Sequence, residues 1–383
     1  MRIPAVPIPH GADAATIEAA LFDDELNQFY FEKVARWCYR PAIKQWQDLL
    51  DRGLALGLGI PLSTLPQFEE WDPDLLDDLT GLLRHENCEP VATEPYHAVS
   101  MLLDLPLFAS GMERSADGLK DLCGQRARVA DTTEMLMSSD IARTLGRVGF
   151  EAGFVDGRPW IMEWRSAAHL YKERGGLPLL ARHFDLSDDV GYRFSNQGWD
   201  GWPLTADRYA DWIASTPGDL VTLAWDFETF GEHHNVDTGV FEFLDALPDE
   251  LAKRGVQCLT PSAAVEAFGG DAHDLPLSPF PATWAGQHGG LEFFLGNHAQ
   301  QAVFRLMTAA YGSAQLTEDP ALIDLAHLLM QSDNLHWLQW VGKEGSEADV
   351  SAYFTPGEWM WLGADRLLWE HQRVYINFID AIS

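Results

Sequence analysis

Short apolar runs alternate with helix-patterned stretches between Asp24 and Thr260, and this alternation narrows the possible folds more than any other feature of the chain. Residues 24–51 carry apolar side chains at Phe31, Val34, Ala35 and Cys38, a spacing of three and four that predicts a helix. Leu54-Ala55-Leu56-Gly57-Leu58-Gly59-Ile60 follows, an apolar run suited to a strand buried on both faces. The same reading predicts helices over 74–84, 132–148 and 239–254. It predicts strands over 88–93, 150–155, 220–225 and 256–259. Strand-then-helix order repeated in this way builds a parallel sheet, and pattern alone does not choose a closed barrel over an open, doubly wound sheet. Polar residues crowd the strand ends at Glu94, Asp156 and Asp226, the edge where barrels carry their chemistry.

The alternation stops near residue 271. From Asp271 to Trp284 the chain is rich in proline and has no period, which reads as a domain boundary. Beyond it the pattern is helical over 291–310, 320–340 and 356–382, as in a bundle. A sheet-based domain over 1–270 and a helical domain over 271–383 are therefore expected, and 383 residues are enough for both.

Charge excludes several classes of partner. The chain carries 58 acidic and 26 basic residues, a net charge of −32, and only six of the basic residues are lysine. Such a surface repels nucleic acid and anionic membranes, so neither is expected as a partner. Acidic runs such as Phe22-Asp23-Asp24-Glu25 read as solvated faces. Adaptation to molar salt, where the Debye length falls to about 3 Å, is the simplest origin of this imbalance. Cys38, Cys88, Cys123 and Cys258 form no Cys-x-x-Cys pair and read as reduced thiols. The start lacks the apolar run of a signal peptide, and no stretch of about 18 apolar residues is present, so a cytoplasmic protein is expected.

The segment Trp225-Asp226-Phe227-Glu228-Thr229-Phe230-Gly231-Glu232-His233-His234 is the richest in chemistry. Read as the end of a strand, it points the Asp226 and Glu228 side chains to one side, where a carboxylate pair raises one pKa and creates a general acid. Two other readings stand beside this one: an acidic loop without a role, and a metal site made of Asp226, Glu228, His233 and His234. The 15 tryptophans are core filler or flat platforms for sugar rings; Trp199 and Trp202, flanking Asp200-Gly201, are candidate platforms.

Asp226-Phe227-Glu228-Thr229-Phe230-Gly231-Glu232-His233 resembles the fourth signature motif of glycoside hydrolase family 57. Phe22-Asp23-Asp24-Glu25-Leu26-Asn27, Arg193-Phe194-Ser195-Asn196 and Pro203-Leu204-Thr205-Ala206-Asp207 are similar to its archaeal α-amylase-like branch. Glu86-Asn87-Cys88-Glu89 resembles the second motif, with Glu89 at the place of its acid. Leu295-Gly296-Asn297 with Gln300, and Trp284 upstream, resemble the fifth. The third motif carries the nucleophile in a Thr-Glu-Gly sequence, where this chain reads Phe154-Val155-Asp156-Gly157, one methylene shorter. The first motif, His-Gln-Pro, is absent; a true start upstream of Met1 would account for it.

The resemblance implies a (β/α)7 barrel, lacking its first strand if the start lies upstream, followed by a helical domain. It implies an α-amylase or 4-α-glucanotransferase type of enzyme, working by retaining displacement on α-1,4-glucans without a metal or organic cofactor. Asp156 would attack and Asp226 would move the proton. Glu89, Glu228, His233 and Trp284 would shape the sugar site. Arg165 either holds a carboxylate there or forms a plain ion pair. Two rivals remain: an α-glucan-binding or regulatory relative with an impaired site, and a metal-dependent, deacetylase-like hydrolase on a related barrel. The charge generates a prediction of its own. Lowering KCl from about 3 M to about 0.05 M should depress the melting temperature and unfold the chain, because repulsion is then unscreened. Identical circular dichroism melts at the two concentrations would refute the salt adaptation.

Overall fold

The computed structural model describes residues 7–339 and 363–383, and the chain divides into two compact units. One comprises Gln28–Pro95 and Ala109–Ala282; the other comprises Met1–Asn27, Tyr96–Phe108 and Thr283–Ser383. The first holds a seven-stranded sheet: β1 (Leu56–Gly59), β2 (Cys88–Ala92), β3 (Val129–Ala130), β4 (Ala152–Asp156), β5 (Leu170–Lys172), β6 (Pro178–Arg182) and β7 (His273–Asp274). The strand order is β1-β2-β3-β4-β6-β5-β7. Strands β1, β2, β3, β4 and β6 run parallel, while β5 is antiparallel to β6 and carries β7 parallel to itself. This is a mixed α/β fold with a mostly parallel sheet, the architecture of a (β/α)7 barrel.

Helices cover the strands through one apolar stripe each. The helix Arg40–Asp51 buries Ala42, Ile43, Trp46, Leu49 and Leu50 on one side. It packs on the helix Pro73–Leu83, which buries Leu75, Leu79, Leu82 and Leu83. The latter helix starts where it does because Asp72 accepts a hydrogen bond from the Leu75 amide at 3.2 Å and Pro73 fills the first turn. The helices Ala206–Ser215 and Val240–Lys253 pack on each other and join the same core. A second cluster lies where Val129, Ala152, Leu170 and Leu180 of four strands meet Ala264 of the helix Pro261–Phe268. Burial of each large apolar side chain contributes about 1.5–3 kcal/mol over leaving it in water.

In this unit three predicted elements differ from the structure, each for a local reason. The helix expected over 132–148 begins only at Ser139, because Ser138 caps it through Ile141 and the Thr132 hydroxyl bonds the Leu136 carbonyl instead. Residues 220–225 form no ladder strand and share a single parallel bridge, Thr222 with Arg182. Side chains take the positions a strand would use: Arg182 Nε donates to the Ala224 carbonyl at 3.2 Å and the Ala224 amide donates to Ser187 Oγ at 3.3 Å. Residues 256–259 are extended but unpaired as a strand; the Val256 amide closes the preceding helix on the Leu251 carbonyl. The β5–β6 hairpin was signalled only by Arg174-Gly175-Gly176 between two short apolar runs.

In the other unit the helix His298–Thr317 packs against the helices Pro320–Leu328 and Ala364–Ile382, and Ala14–Leu21 adds Ile17 and Leu21 to their core. The helix expected over 320–340 splits, with a second piece at Asp333–His336. Trp340 and residues 356–362 of the last predicted helix lie outside the described residues, as do residues 1–6. Among the described residues no helix is long and apolar enough to cross a membrane.

Phe230 ties the acidic motif to the core of its unit. It is 2% exposed, with its ring 5.4 Å from that of Trp46 and 5.8 Å from that of Trp225, edge-on to both. Phe230→Ala should cost about 3–5 kcal/mol in urea denaturation, since the two indoles hold the cavity open. A loss below about 1 kcal/mol would show that the site collapses.

Candidate active site

Strand β4 ends on Asp156, which stands opposite Arg182 at the end of β6. Gly157 turns the chain so tightly that a Cβ there would lie 2.2 Å from the Arg182 carbonyl oxygen. That turn brings Arg158 back over the strand end, where its Nε donates to Asp156 Oδ2 at 2.6 Å. Arg182 Nη1 donates to Asp156 Oδ1 at 3.2 Å, and its Nη2 donates to Asp188 Oδ1 at 2.5 Å. Asp156 is 1% exposed, and both of its oxygens accept from guanidinium groups. Burial pushes its carboxyl up from the usual aspartate value, while Arg182 and Arg158 pull it back down. Arg158 and Arg182, which hold Asp156, were not singled out from the sequence; their only signal was arginine at the end of an apolar run and arginine two places after an acid.

Asp226 follows the segment that bridges Arg182, so it belongs to the same carboxyl-terminal edge of the sheet. It is solvent-exposed, in extended conformation, and heads the 3₁₀ turn Phe227–Thr229. The turn, rather than strand alternation, sets the direction of Glu228, which corrects the expectation that the two acids share one strand face. Glu228 Oε1 accepts a hydrogen bond from Tyr39 Oη at 2.9 Å. Burial and then Glu228 hold the Tyr39 hydroxyl well above its ordinary range.

The support beneath this turn originates in Pro41. Residues Ala35–Tyr39 form a π-helical turn, in which the Arg40 amide reaches back to the Ala35 carbonyl. Pro41 has no N–H for the Trp37 carbonyl, which a regular helix would bond. Gly231 (φ +120°) packs against that carbonyl, and a Cβ at Gly231 would stand 1.9 Å from its oxygen. Cys38 Sγ donates to the Phe227 carbonyl at 3.5 Å, and Lys33 pairs with Glu232. His233 is half-buried; burial lowers its pKa, and Glu228 and Glu232 oppose that shift. His234 is 3% exposed and neutral in its bonding, Nε2 donating to the Val190 carbonyl and Nδ1 accepting from Ser195 Oγ, both at 2.9 Å.

The remaining predicted residues of this unit lie apart from the cluster or are already engaged. Glu89 sits near the start of β2, where Oε2 accepts from the Ser262 amide at 2.7 Å and so caps the helix Pro261–Phe268. Its Oε1 is buried without a hydrogen-bond partner. Arg165 bonds its neighbour Glu163 at 2.9 Å, the plain ion pair of the two alternatives. Trp199 is half-buried edge-on to Trp212, with Arg193 over its ring at 5.6 Å; Trp202 is 43% exposed. Trp284 belongs to the other unit. In that unit, Asn297 and Gln300 form a capping box at the start of the helix His298–Thr317. Among the described residues no three His, Cys, Asp or Glu side chains gather as metal ligands.

Comparison with known proteins fits this arrangement. The family model described as glycosyl hydrolase family 57 matches residues 12–275. A Methanocaldococcus jannaschii protein provisionally assigned as an α-amylase is 32% identical over 344 residues, covering 87% of this chain and 73% of that protein. The chain belongs to glycosyl hydrolase family 57, which places it among glycoside hydrolases and glycosyl-transferring enzymes. Two solved structures share the fold. The 4-α-glucanotransferase from Thermococcus litoralis is 15% identical with a TM-score of 0.64, covering 86% of this chain. This chain spans only 57% of the glucanotransferase. The family 57 branching enzyme from Pyrococcus horikoshii is 15% identical with a TM-score of 0.62, covering 92% of both chains.

Burial of a neutral imidazole links the site to pH. Because the folded-state pKa of His234 is depressed, the stability it contributes is full above the unfolded imidazole value and is lost as pH falls toward the folded one. Between about pH 7 and about pH 5 the melting temperature should therefore drop less in His234→Gln than in the parent at equal salt. Equal drops would place the acid sensitivity elsewhere.

Proposed function

We propose that the protein acts on α-glucans as a retaining hydrolase of the α-amylase type, with Asp226 as the proton donor and Asp156 as the attacking carboxylate. The observation that carries this reading is the setting of Asp226: an exposed carboxyl at the sheet edge, on a turn fixed by Gly231, Glu228 and the two histidines. An acid that delivers a proton to a leaving oxygen needs access to the substrate and a backbone that holds still. Asp226 would protonate the glycosidic oxygen as Asp156 bonds the anomeric carbon; water, deprotonated by Asp226, would then release the sugar. Glu228 and His233 would line the sugar site beside Asp226. The relative's assignment and the family support an α-glucan as substrate. The net charge supports a salt-rich cytoplasm and opposes nucleic-acid or membrane partners.

A second reading has its own observation. Asp156 is enclosed, with both oxygens held by arginine, and attack requires an oxygen to leave its guanidinium. That favours a relative that binds α-glucan without cleaving it.

Reducing-sugar release from maltooligosaccharides in high salt separates the two. If Asp156 attacks from too short a side chain, Asp156→Glu should raise the rate roughly 10- to 100-fold. Asp226→Asn should abolish it in either background, because an amide has no proton to give. A parent and an Asp156→Glu variant that are both inactive, yet bind maltooligosaccharide, would establish the binding reading. An active parent indifferent to Asp156→Ala would remove Asp156 as nucleophile.

A further inference from the structure

The connection from β4 to β5 leads away from the catalytic edge and opens a cleft of about 450 Å³ on the flank of the sheet. Its position follows from the register. Tyr171 of β5 stands opposite Leu179 of β6, upstream of the Arg182 that faces Asp156, and on its other side pairs with His273 of β7. The cleft is thus displaced along the strands from Asp156. Its volume lies within the range of about 300–1,000 Å³ found for ligand sites.

Trp164 is the most conspicuous wall of this cleft. Its side chain is 83% exposed, among the largest exposures of any apolar residue described. The backbone of Glu163, at φ +57°, makes the turn that precedes it. Arg165 lies over the Trp164 ring at 4.8 Å and is itself held by Glu163, so one face of the indole is backed. Among the other lining residues, the His169 and His273 rings meet edge-on at 5.0 Å, and Tyr171 Oη donates to the Ser166 carbonyl. Holding a large indole in water has no folding benefit, whereas a fixed flat ring beside hydrogen-bonding groups suits a ligand with one apolar face and a polar rim.

The charges around the cleft identify that ligand as neutral. Arg165 is offset by Glu163 at 2.9 Å, Lys172 by Asp274 at 3.8 Å, and His169 contacts Asp219 at 3.3 Å. Anionic ligands would find no unpaired cation among these groups and would face a strongly acidic protein. The exposed Asp274 carboxylate and His273 ring offer acceptors and donors to hydroxyl groups.

We propose that this flank cleft is a secondary binding site for a neutral polysaccharide chain, with Trp164 as its stacking platform. It holds an α-glucan polymer on the protein without contributing a group to the reaction. This rests on the α-glucan reading of the active site, which supplies the identity of the sugar.

Co-sedimentation with insoluble starch in high KCl tests the proposal. Trp164→Ala should weaken starch binding about 5- to 10-fold, the scale of one lost aromatic stacking contact. Trp164→Phe, which keeps a flat ring, should bind nearly as the parent does, and circular dichroism should show the same fold for both. Phe280→Ala removes another exposed ring, 77% exposed and outside the cleft, and should leave binding unchanged. Starch binding that survives Trp164→Ala, or falls equally in Phe280→Ala, would overturn the cleft. A parent that cleaves maltooligosaccharides but does not sediment with starch would overturn the cleft alone. A parent that neither cleaves nor binds any α-glucan would overturn both readings together.

Discussion

Two arginines closing on one buried aspartate organise the carboxyl-terminal edge of the sheet. Asp156 ends β4, Arg182 ends β6, Arg158 returns from the next loop, and Arg182 reaches on to Asp188 and the Ala224 carbonyl. Two strands, the helix Phe184–Gly191 and the segment leading to Asp226 are therefore fixed by one set of bonds. Charges are expensive to bury, and a pair of this kind breaks even only when every partner is present; loss of one leaves a charge stranded at about 3–5 kcal/mol. The network has no slack, and that is both why the edge is rigid and why the carboxylate at its centre has so little freedom. Aspartate in place of the longer glutamate keeps the oxygens within reach of both guanidinium groups. Both oxygens of Asp156 are thereby committed to the fold.

Much of the fold was legible because burial on both faces leaves long apolar runs. The runs around β2 and β4 are of this kind; β1, expected to be buried on both faces, is instead exposed at Gly57 and Gly59, and the helices Arg40–Asp51 and Val240–Lys253 were legible by their one-sided stripes. The pattern failed where side chains replace backbone partners. Residues 220–225 read as a strand but give their carbonyl and amide to Arg182 and Ser187, and no period records such a substitution. The site was legible as a set of acids near strand ends. Their distribution was not: Glu89 has the residue type of a sugar ligand, yet its position early in β2 directs it to a helix start. Likewise Asn297 and Gln300 resemble part of a functional motif and serve as reciprocal caps. A polar residue in a signature can be retained by the backbone it satisfies as well as by the ligand it meets.

The arrangement around Asp226 shows the reverse case, in which a backbone irregularity supports a chemical group. Proline withholds one N–H, the helix widens by a residue, and the carbonyl so released meets a glycine in the acidic loop. Tyr39, at the end of the widened turn, then reaches Glu228. None of these residues needs to touch a substrate to decide where the acid stands.

That widened turn also governs how this stretch of chain tolerates changes of length. A regular helix advances about 100° per residue, and the π turn takes up one residue more than a regular turn, so the stretch at Lys33 and the helix that begins at Arg40 keep their faces despite the extra residue. Deleting one residue between Ala35 and Tyr39 would still leave Pro41 without an N–H to give, so the ladder would stay interrupted there. In a chain with a regular helix here, the same two faces would be kept by one residue fewer, so a difference in length would be absorbed inside the helix rather than in a loop.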